Sequence, residues 1–321
     1  MLPGKLKYFS FTQVAWPFFF TALRLFKILT LINYALFLAM IKKVCVIGAG
    51  TMGSGIALAA AQGSFKVILC DINPEVLDAA KKSIENNLVF LLSKHKIDAI
   101  EKADISQRIS FTSAIQECHA DVVIEAIVER LDIKTQLFMQ VAAVNDETTI
   151  LASNTSSLSI TSIQENIPAP GRVAGLHFFN PAHIMKLVEV VKGKFTYDST
   201  AQTLINFCRQ LHKTPVMCKD APGFIVNRVA RHYYLEAMQL VEHTDVSFET
   251  VDAAMEAAGF KMGPFKLMDL IGMDVNLAVS VSLYDAFNKA DRFKPSALQI
   301  EKVANNELGR KTGKGFYNYN G

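Results

Sequence analysis

Proline and glycine are scarce in this 321-residue chain, at 10 and 17 residues, too few for a collagen-like or low-complexity sequence. The five cysteines, Cys45, Cys70, Cys118, Cys208 and Cys218, are scattered, odd in number and without the close pairs a zinc site needs, so no metal is expected. They read as reduced thiols, and Cys45 and Cys70, inside apolar runs, read as small buried hydrophobes. From Met40 onward there is no excess of basic residues and no long basic run, which argues against nucleic acid as a partner. In the apolar N-terminal stretch the uncharged run from Ile28 to Ile41 is 14 residues long, short of the roughly 20 that carry a helix across a bilayer, and a membrane bundle is not expected. What is present is a chain 50% apolar, with 33 Lys+Arg against 30 Asp+Glu, able to bury one or two full cores. At roughly 100–200 residues per domain, its length suggests two domains.

The formal net charge of +3 is unevenly placed. Residues 1–39 hold Lys5, Lys7, Arg24 and Lys27 and no acid, so the body from Met40 onward is close to neutral. Residues 14–40 are apolar and aromatic, interrupted by Pro17, Arg24 and Lys27, and Met40 stands directly before a complete first strand. Three readings of 1–39 stay open: translation starting naturally at Met40, an organelle presequence, or a peripheral membrane anchor. The first implies a cytoplasmic protein and the second a mitochondrial matrix protein; membrane contact is expected only if residues 1–39 are native.

From Ile41 short β-branched runs alternate with longer helical ones, the pattern of βαβ units and a parallel sheet covered on both faces. Strands are expected over residues 43–47, 66–70, 108–111, 121–126, 149–153, 173–179 and 187–191, the last two close together without a long crossover. After Cys218 strand signals fade, and residues 226–241 and 248–258 carry apolar residues at helical spacing. The turn-rich joint Lys219-Asp220-Ala221-Pro222-Gly223 marks a boundary. The expected fold is α/β: an atypical extension over 1–39, a Rossmann-type dinucleotide-binding domain over 40–219 and a smaller all-α domain over 220–321.

The first strand runs into Gly48-Ala49-Gly50-Thr51-Met52-Gly53 and then a helix, the context a GxGxxG sequence requires for dinucleotide binding. Gly48 permits the tight turn, Gly50 lets the backbone approach a pyrophosphate, and Gly53 lets the helix sit close to the strand. The helix N-terminus turns free N–H groups and positive dipole toward the phosphates. Asp71, at the end of the second strand and 21 residues after Gly50, is placed to take the ribose hydroxyls of the adenosine. It would repel a 2′-phosphate, and no Arg follows closely, so NAD is expected rather than NADP.

Around the loop 180–186, His177 lies six residues before His183 and Glu189 six residues after it. If the flanking strands pair as a hairpin, these two face each other. A carboxylate on one imidazole nitrogen fixes the tautomer and leaves the other nitrogen basic, able to take the proton of an alcohol as hydride leaves. A satisfied core histidine and a surface glutamate are the alternative. The remaining histidines show no such arrangement.

Seven segments then carry a resemblance. They are the glycine turn 48–53, Ser153-Asn154-Thr155-Ser156-Ser157, Gly175-Leu176-His177-Phe178-Phe179-Asn180-Pro181, Lys186-Leu187-Val188-Glu189, the DAPGFIVNR stretch 220–228, Met262-Gly263-Pro264-Phe265, and Lys311-Thr312-Gly313-Lys314-Gly315-Phe316-Tyr317. Together, over residues 41–319, they resemble the L-3-hydroxyacyl-CoA dehydrogenase family, in its short stand-alone, 3-hydroxybutyryl-CoA dehydrogenase-like form. The resemblance implies a homodimeric NAD-dependent oxidoreductase of fatty-acid β-oxidation or butanoate metabolism, interconverting (S)-3-hydroxyacyl-CoA and 3-ketoacyl-CoA.

By that resemblance His177 is the general base and acid, Glu189 orients it, and Ser156 and Asn227 hydrogen-bond the substrate near its C3 oxygen. Ser156, Asn180, Glu129, Lys134 and Lys311 match cofactor contacts, alongside Gly48, Gly50, Thr51, Met52, Gly53 and Asp71. Lys94 matches a basic residue that meets the CoA phosphates, whereas a serine that contacts CoA in some members is Asn87 here. Plainer roles stay open as well: Ser156 and Asn227 as caps, Lys94 and Lys311 as solvated charges. A dehydrogenase of a free hydroxy acid or sugar acid is the alternative activity, and a non-catalytic NAD-binding protein is the third.

Overall fold

Runs of β-branched residues with little polar interruption make strands buried on both faces, and eight strands join in one sheet. The computed structural model describes residues 41–319, so the three readings of 1–39 lie outside the described residues. The strands are β1 (Lys43–Ile47), β2 (Lys66–Cys70), β3 (Ile109–Thr112), β4 (Val122–Glu125), β5 (Ile150–Ser153), β6 (Val173–Phe178), β7 (Leu187–Lys192) and β8 (Thr214–Lys219). Their order across the sheet is β3-β2-β1-β4-β5-β6-β7-β8. All neighbours run parallel except β6 and β7. The first six follow the doubly wound order that places a dinucleotide across the C-terminal strand ends.

Helices cover the sheet: α1 (Thr51–Gln62), α2 (Pro74–Ser93), α3 (Ala99–Gln107), α4 (Leu131–Val144), α5 (Ile160–Gln164) and α6 (Asp198–Gln210). Local chemistry starts several of them. Asn73 accepts from the Glu75 N–H before Pro74 opens α2, and Asp98 with Glu101 forms a capping box on α3. The core beneath the sheet holds Cys45, Cys70, Cys118, Phe138, Leu151 and Val191. All five cysteines are free and buried, and burial raises the Cys208 and Cys218 thiols to about 12.

Past β8 the described chain is helical: α7 (Val226–His243), α8 (Phe248–Ala257), α9 (Pro264–Ile271), α10 (Met273–Ala286) and α11 (Ala297–Ala304). Their apolar faces meet around Met238, Phe265, Met268 and Met273. Two buried aspartates tie this bundle together. Asp252 accepts from the N–H groups of Phe265 and Lys266 and from the Tyr317 hydroxyl, and Asp269 accepts from the N–H groups of Phe316 and Tyr317. The α/β fold with a helical C-terminal part is therefore present. No single helix among the described residues is long and apolar enough to cross a membrane.

One strand departs from the sequence reading. β8 was not expected, because its residues are mostly exposed, with only Cys218 buried, and Pro215 interrupts the run. It holds the sheet edge, where a proline is tolerated because one side of the strand has no ladder partner.

Candidate active site

The glycine turn connects β1 to α1 in the geometry its sequence demands. Gly48 has φ +100°, and a Cβ there would lie 2.5 Å from the Ala126 carbonyl oxygen. A Cβ on Gly53 would fall 1.7 Å from the Gly48 carbonyl oxygen, so helix and turn can touch only through glycine. Around Gly50 the space is open for 4 Å, and α1 starts with no side-chain cap. Thr51 and Met52 open this helix, so uncapped N–H groups and the open side of Gly50 coincide where a pyrophosphate would sit. Asp71 closes β2 and holds the turn, its Oδ2 accepting from the Ala49 N–H at 2.8 Å and its Oδ1 from the Asn73 N–H at 3.0 Å.

Three strands away in the same sheet, β6 and β7 pair antiparallel with His177 opposite Glu189. Both side chains are buried, and His177 Nδ1 lies 2.8 Å from Glu189 Oε2. Since a carboxylate only accepts, Nδ1 carries a proton in this bond, which in the neutral imidazole leaves Nε2 as the acceptor. Ser156 Oγ sits 2.9 Å from that Nε2, and Asn227 Nδ2 reaches the Ser156 carbonyl oxygen at 3.5 Å. The rings of Phe179 and Phe224 flank the imidazole at 4.6 and 5.8 Å between centroids.

Glu189 spends its second oxygen on the helical region. Oε1 accepts from the N–H groups of Ile225 and Val226, both at 2.9 Å, at the start of α7. The chain enters that helix through two left-handed residues, Gly223 at φ +70° and Phe224 at φ +47°, and the latter is costly for a residue with a side chain. Burial disfavours the Glu189 carboxylate, but its bond to His177 and the two N–H groups outweigh this and hold the carboxyl below its ordinary value.

The remaining expected residues divide. Glu129 and Lys134 meet at 3.1 Å, and Glu129 also binds the 153–157 loop. Burial opposes charge on Glu129, yet the Lys134 ammonium and the Thr155 and Ser157 hydroxyls leave its carboxyl below the ordinary range. Lys134 is only 1% exposed, and its ammonium is taken up by Glu125 and Glu129. Asn180 and Asn87 line one small cleft of about 110 Å³ with Ser54 and His183.

Lys94 and Lys311 are not brought to His177. Lys94 ends α2 with its ammonium 5.7 Å from the Phe90 ring, while Lys311 forms an ion pair with Asp274 in the helical part. Sequence reasoning missed Glu125, which is fully buried and bonded to both Lys134 and Ser153. Its signal was an acid closing an otherwise apolar strand, with a lysine nine residues on.

Residues 43–221 match the family described as 3-hydroxyacyl-CoA dehydrogenase, NAD binding domain, and residues 223–319 match 3-hydroxyacyl-CoA dehydrogenase, C-terminal domain. The chain belongs to the 3-hydroxyacyl-CoA dehydrogenase family. It is 46% identical over 281 residues to a 3-hydroxyadipyl-CoA dehydrogenase of Escherichia coli, with 87% of this chain covering 59% of that protein. It is 43% identical over 288 residues to the mitochondrial hydroxyacyl-coenzyme A dehydrogenase of Rattus norvegicus, where the match covers 87% of this chain and 92% of the relative. A crystal structure of (S)-3-hydroxybutyryl-CoA dehydrogenase from Ralstonia eutropha superimposes with a TM-score of 0.84 at 36% identity, covering 88% of this chain and all of that one.

Proposed function

We propose that this protein catalyses the reversible NAD-dependent oxidation of (S)-3-hydroxyacyl-CoA to 3-ketoacyl-CoA. The observation that carries this reading is the line Glu189–His177–Ser156, which leaves one imidazole nitrogen as a base at the C-terminal strand ends that also hold the glycine turn. Gly48, Gly50, Gly53, the start of α1 and Asp71 would hold NAD, and bound NAD supplies the hydride acceptor.

In the oxidation direction His177 Nε2 takes the proton of the C3 hydroxyl. Positive charge then develops on the imidazole, and Glu189 Oε2, already bonded to Nδ1–H, stabilises it at 2.8 Å without reorganising. Ser156 Oγ is a donor next to that nitrogen and Asn227 Nδ2, at the Ser156 carbonyl, is a second one, suited to the oxygen at C3 and the adjoining thioester as negative charge builds there in the reverse direction. Phe179 and Phe224 give the imidazole aromatic flanks, an environment that strengthens these interactions.

We place the acyl-CoA along α2, with Lys94 toward its phosphates. Self-association as a homodimer through the helical part is supported by exposed apolar residues on its helices, Val229, Val275, Val281 and Ile300 among them. Light scattering coupled to gel filtration tests the dimer, and a monomeric mass would remove it. For the reaction, acetoacetyl-CoA added to the protein with NADH should consume NADH absorbance. Bound NADH without turnover of any acyl chain length would overturn the enzyme reading, and turnover of free hydroxy acids in place of thioesters would overturn the substrate.

A further inference from the structure

Behind Ser156 lies a charged assembly that the reaction as derived above does not use. The Lys134 ammonium is held between Glu125 Oε1 at 2.5 Å and Glu129 Oε2 at 3.1 Å. Glu125 is 0% exposed, and both its oxygens accept from the protein: Oε1 also from the Ile127 N–H at 2.7 Å, and Oε2 from the Ser153 hydroxyl at 2.6 Å. Glu129 Oε1 accepts from the Thr155 hydroxyl, from the Ser156 and Ser157 N–H groups at 3.0 and 3.2 Å, and from the Ser157 hydroxyl at 2.9 Å. The loop 153–157 is thus held at both ends by one ionic triad, Ser153 by Glu125 and Thr155 to Ser157 by Glu129.

A buried ion pair is a poor device for stability, because desolvation cancels most of the attraction and an apolar replacement is often neutral or better. What it does well is fix geometry, since each charge must stay where its partners are. Glu129 is half-exposed on its own and would be free to turn toward water. Lys134 anchors its far oxygen, and Glu125 anchors Lys134. The near oxygen then sets the Ser156 backbone, whose side chain ends 2.9 Å from His177 Nε2.

We propose that Glu125, acting through Lys134 and Glu129, is a positioning residue that sets the Ser156 hydroxyl against His177. It rests on the reading of His177 and Ser156 as the reacting pair. Glu125→Gln keeps the size of the side chain and removes its charge. It should lower kcat with acetoacetyl-CoA and NADH by roughly 10–10²-fold, the scale of a small misplacement of reacting groups. The dissociation constant for NADH, followed by its fluorescence, should stay within about twofold, because the glycine turn and Asp71 that would hold the dinucleotide are left as they are. In a Ser156→Ala background the same substitution should cost almost nothing further, because a residue that works through Ser156 has nothing left to position.

The pair Glu125→Leu with Lys134→Met removes both buried charges. It should melt at or above the wild-type temperature and still show the reduced kcat, a separation that a purely structural role does not produce. The ¹⁵N resonance of His177 Nε2, read without substrate, should move in Glu125→Gln in the direction it moves in Ser156→Ala. Multiplicative losses in the double variant, a full rate in the apolar pair, weakened NADH binding at unchanged kcat, or a stationary Nε2 resonance would each overturn the proposal. Wild-type protein that does not turn over acetoacetyl-CoA would instead defeat the functional reading, and the resonance would still decide the positioning.

Discussion

The β6–β7 hairpin and the end of β4 each bury a carboxylate against a nitrogen base, yet they leave different things free. At the hairpin Glu189 holds only one face of the imidazole, and His177 Nε2 remains an acceptor with a single hydroxyl beside it. At β4 the Lys134 ammonium meets two carboxylates, and both oxygens of Glu125 are occupied. The first arrangement leaves one ring nitrogen facing only a side-chain hydroxyl; the second has its ammonium bonded to Glu125, and both oxygens of that carboxylate bonded to groups from a helix and the next strand.

The largest effect is expected at His177. His177→Gln should reduce turnover by roughly 10²–10⁴-fold, the usual worth of a positioned proton donor and acceptor, in the acetoacetyl-CoA assay. An unchanged rate would remove the distinction between the two assemblies. Next comes the glycine turn between β1 and α1. Gly53→Ala must push the Gly48 carbonyl out of the way and should lower stability by about 1–3 kcal/mol, read as a fall in the thermal midpoint together with weakened NADH binding. A stable variant with wild-type affinity would mean that α1 does not need to touch the turn.

A smaller change is expected at Asp71. Replacing it by alanine removes the charge that opposes a 2′-phosphate, and should narrow the preference for NADH over NADPH by about tenfold or more, since like-charge contact costs several kcal/mol. Because Oδ2 also holds the Ala49 N–H, NADH affinity should fall at the same time. Parallel initial-rate measurements with the two cofactors check this, and an unaltered ratio would free Asp71 from any role in selection.

The gentlest probe is pH. The Glu189 carboxyl lies below its ordinary value of 4.5, so its contribution to folding is complete above that value and disappears as pH falls through the lower, folded one. Denaturant unfolding of wild type and Glu189→Gln should therefore differ at neutral pH and converge in acid. Glu129 carries the same sign. A gap that widens on acidification would reverse the assignment at Glu189.

The glycine turn was legible because its constraint is local. A positive φ and two close backbone approaches fall within six residues, and only glycine meets them. The meeting of His177 with Glu189 was legible for a related reason: a short loop fixes the register of a hairpin, and counting outward from its centre pairs the right residues. Glu125 was not, since its partners Lys134 and Ser153 come from a helix and from the next strand, 9 and 28 residues away. Nor was the grip of Glu189 on α7, which spans 36 residues and depends on the left-handed entry at Phe224. β8 escaped because an exposed edge strand carries no apolar alternation to read.

Order along the chain was enough to specify every described strand but β8, the glycine turn and the pairing of His177 with Glu189, because short-range sterics and the period of a strand act within a few residues. Whether an acid or a lysine becomes a reactive group or a buried strut was settled by the folded sheet alone. That outcome depends on how many donors and acceptors surround each charge once water is gone, and those partners are gathered from distant segments only when β4, β5, β6 and α7 converge.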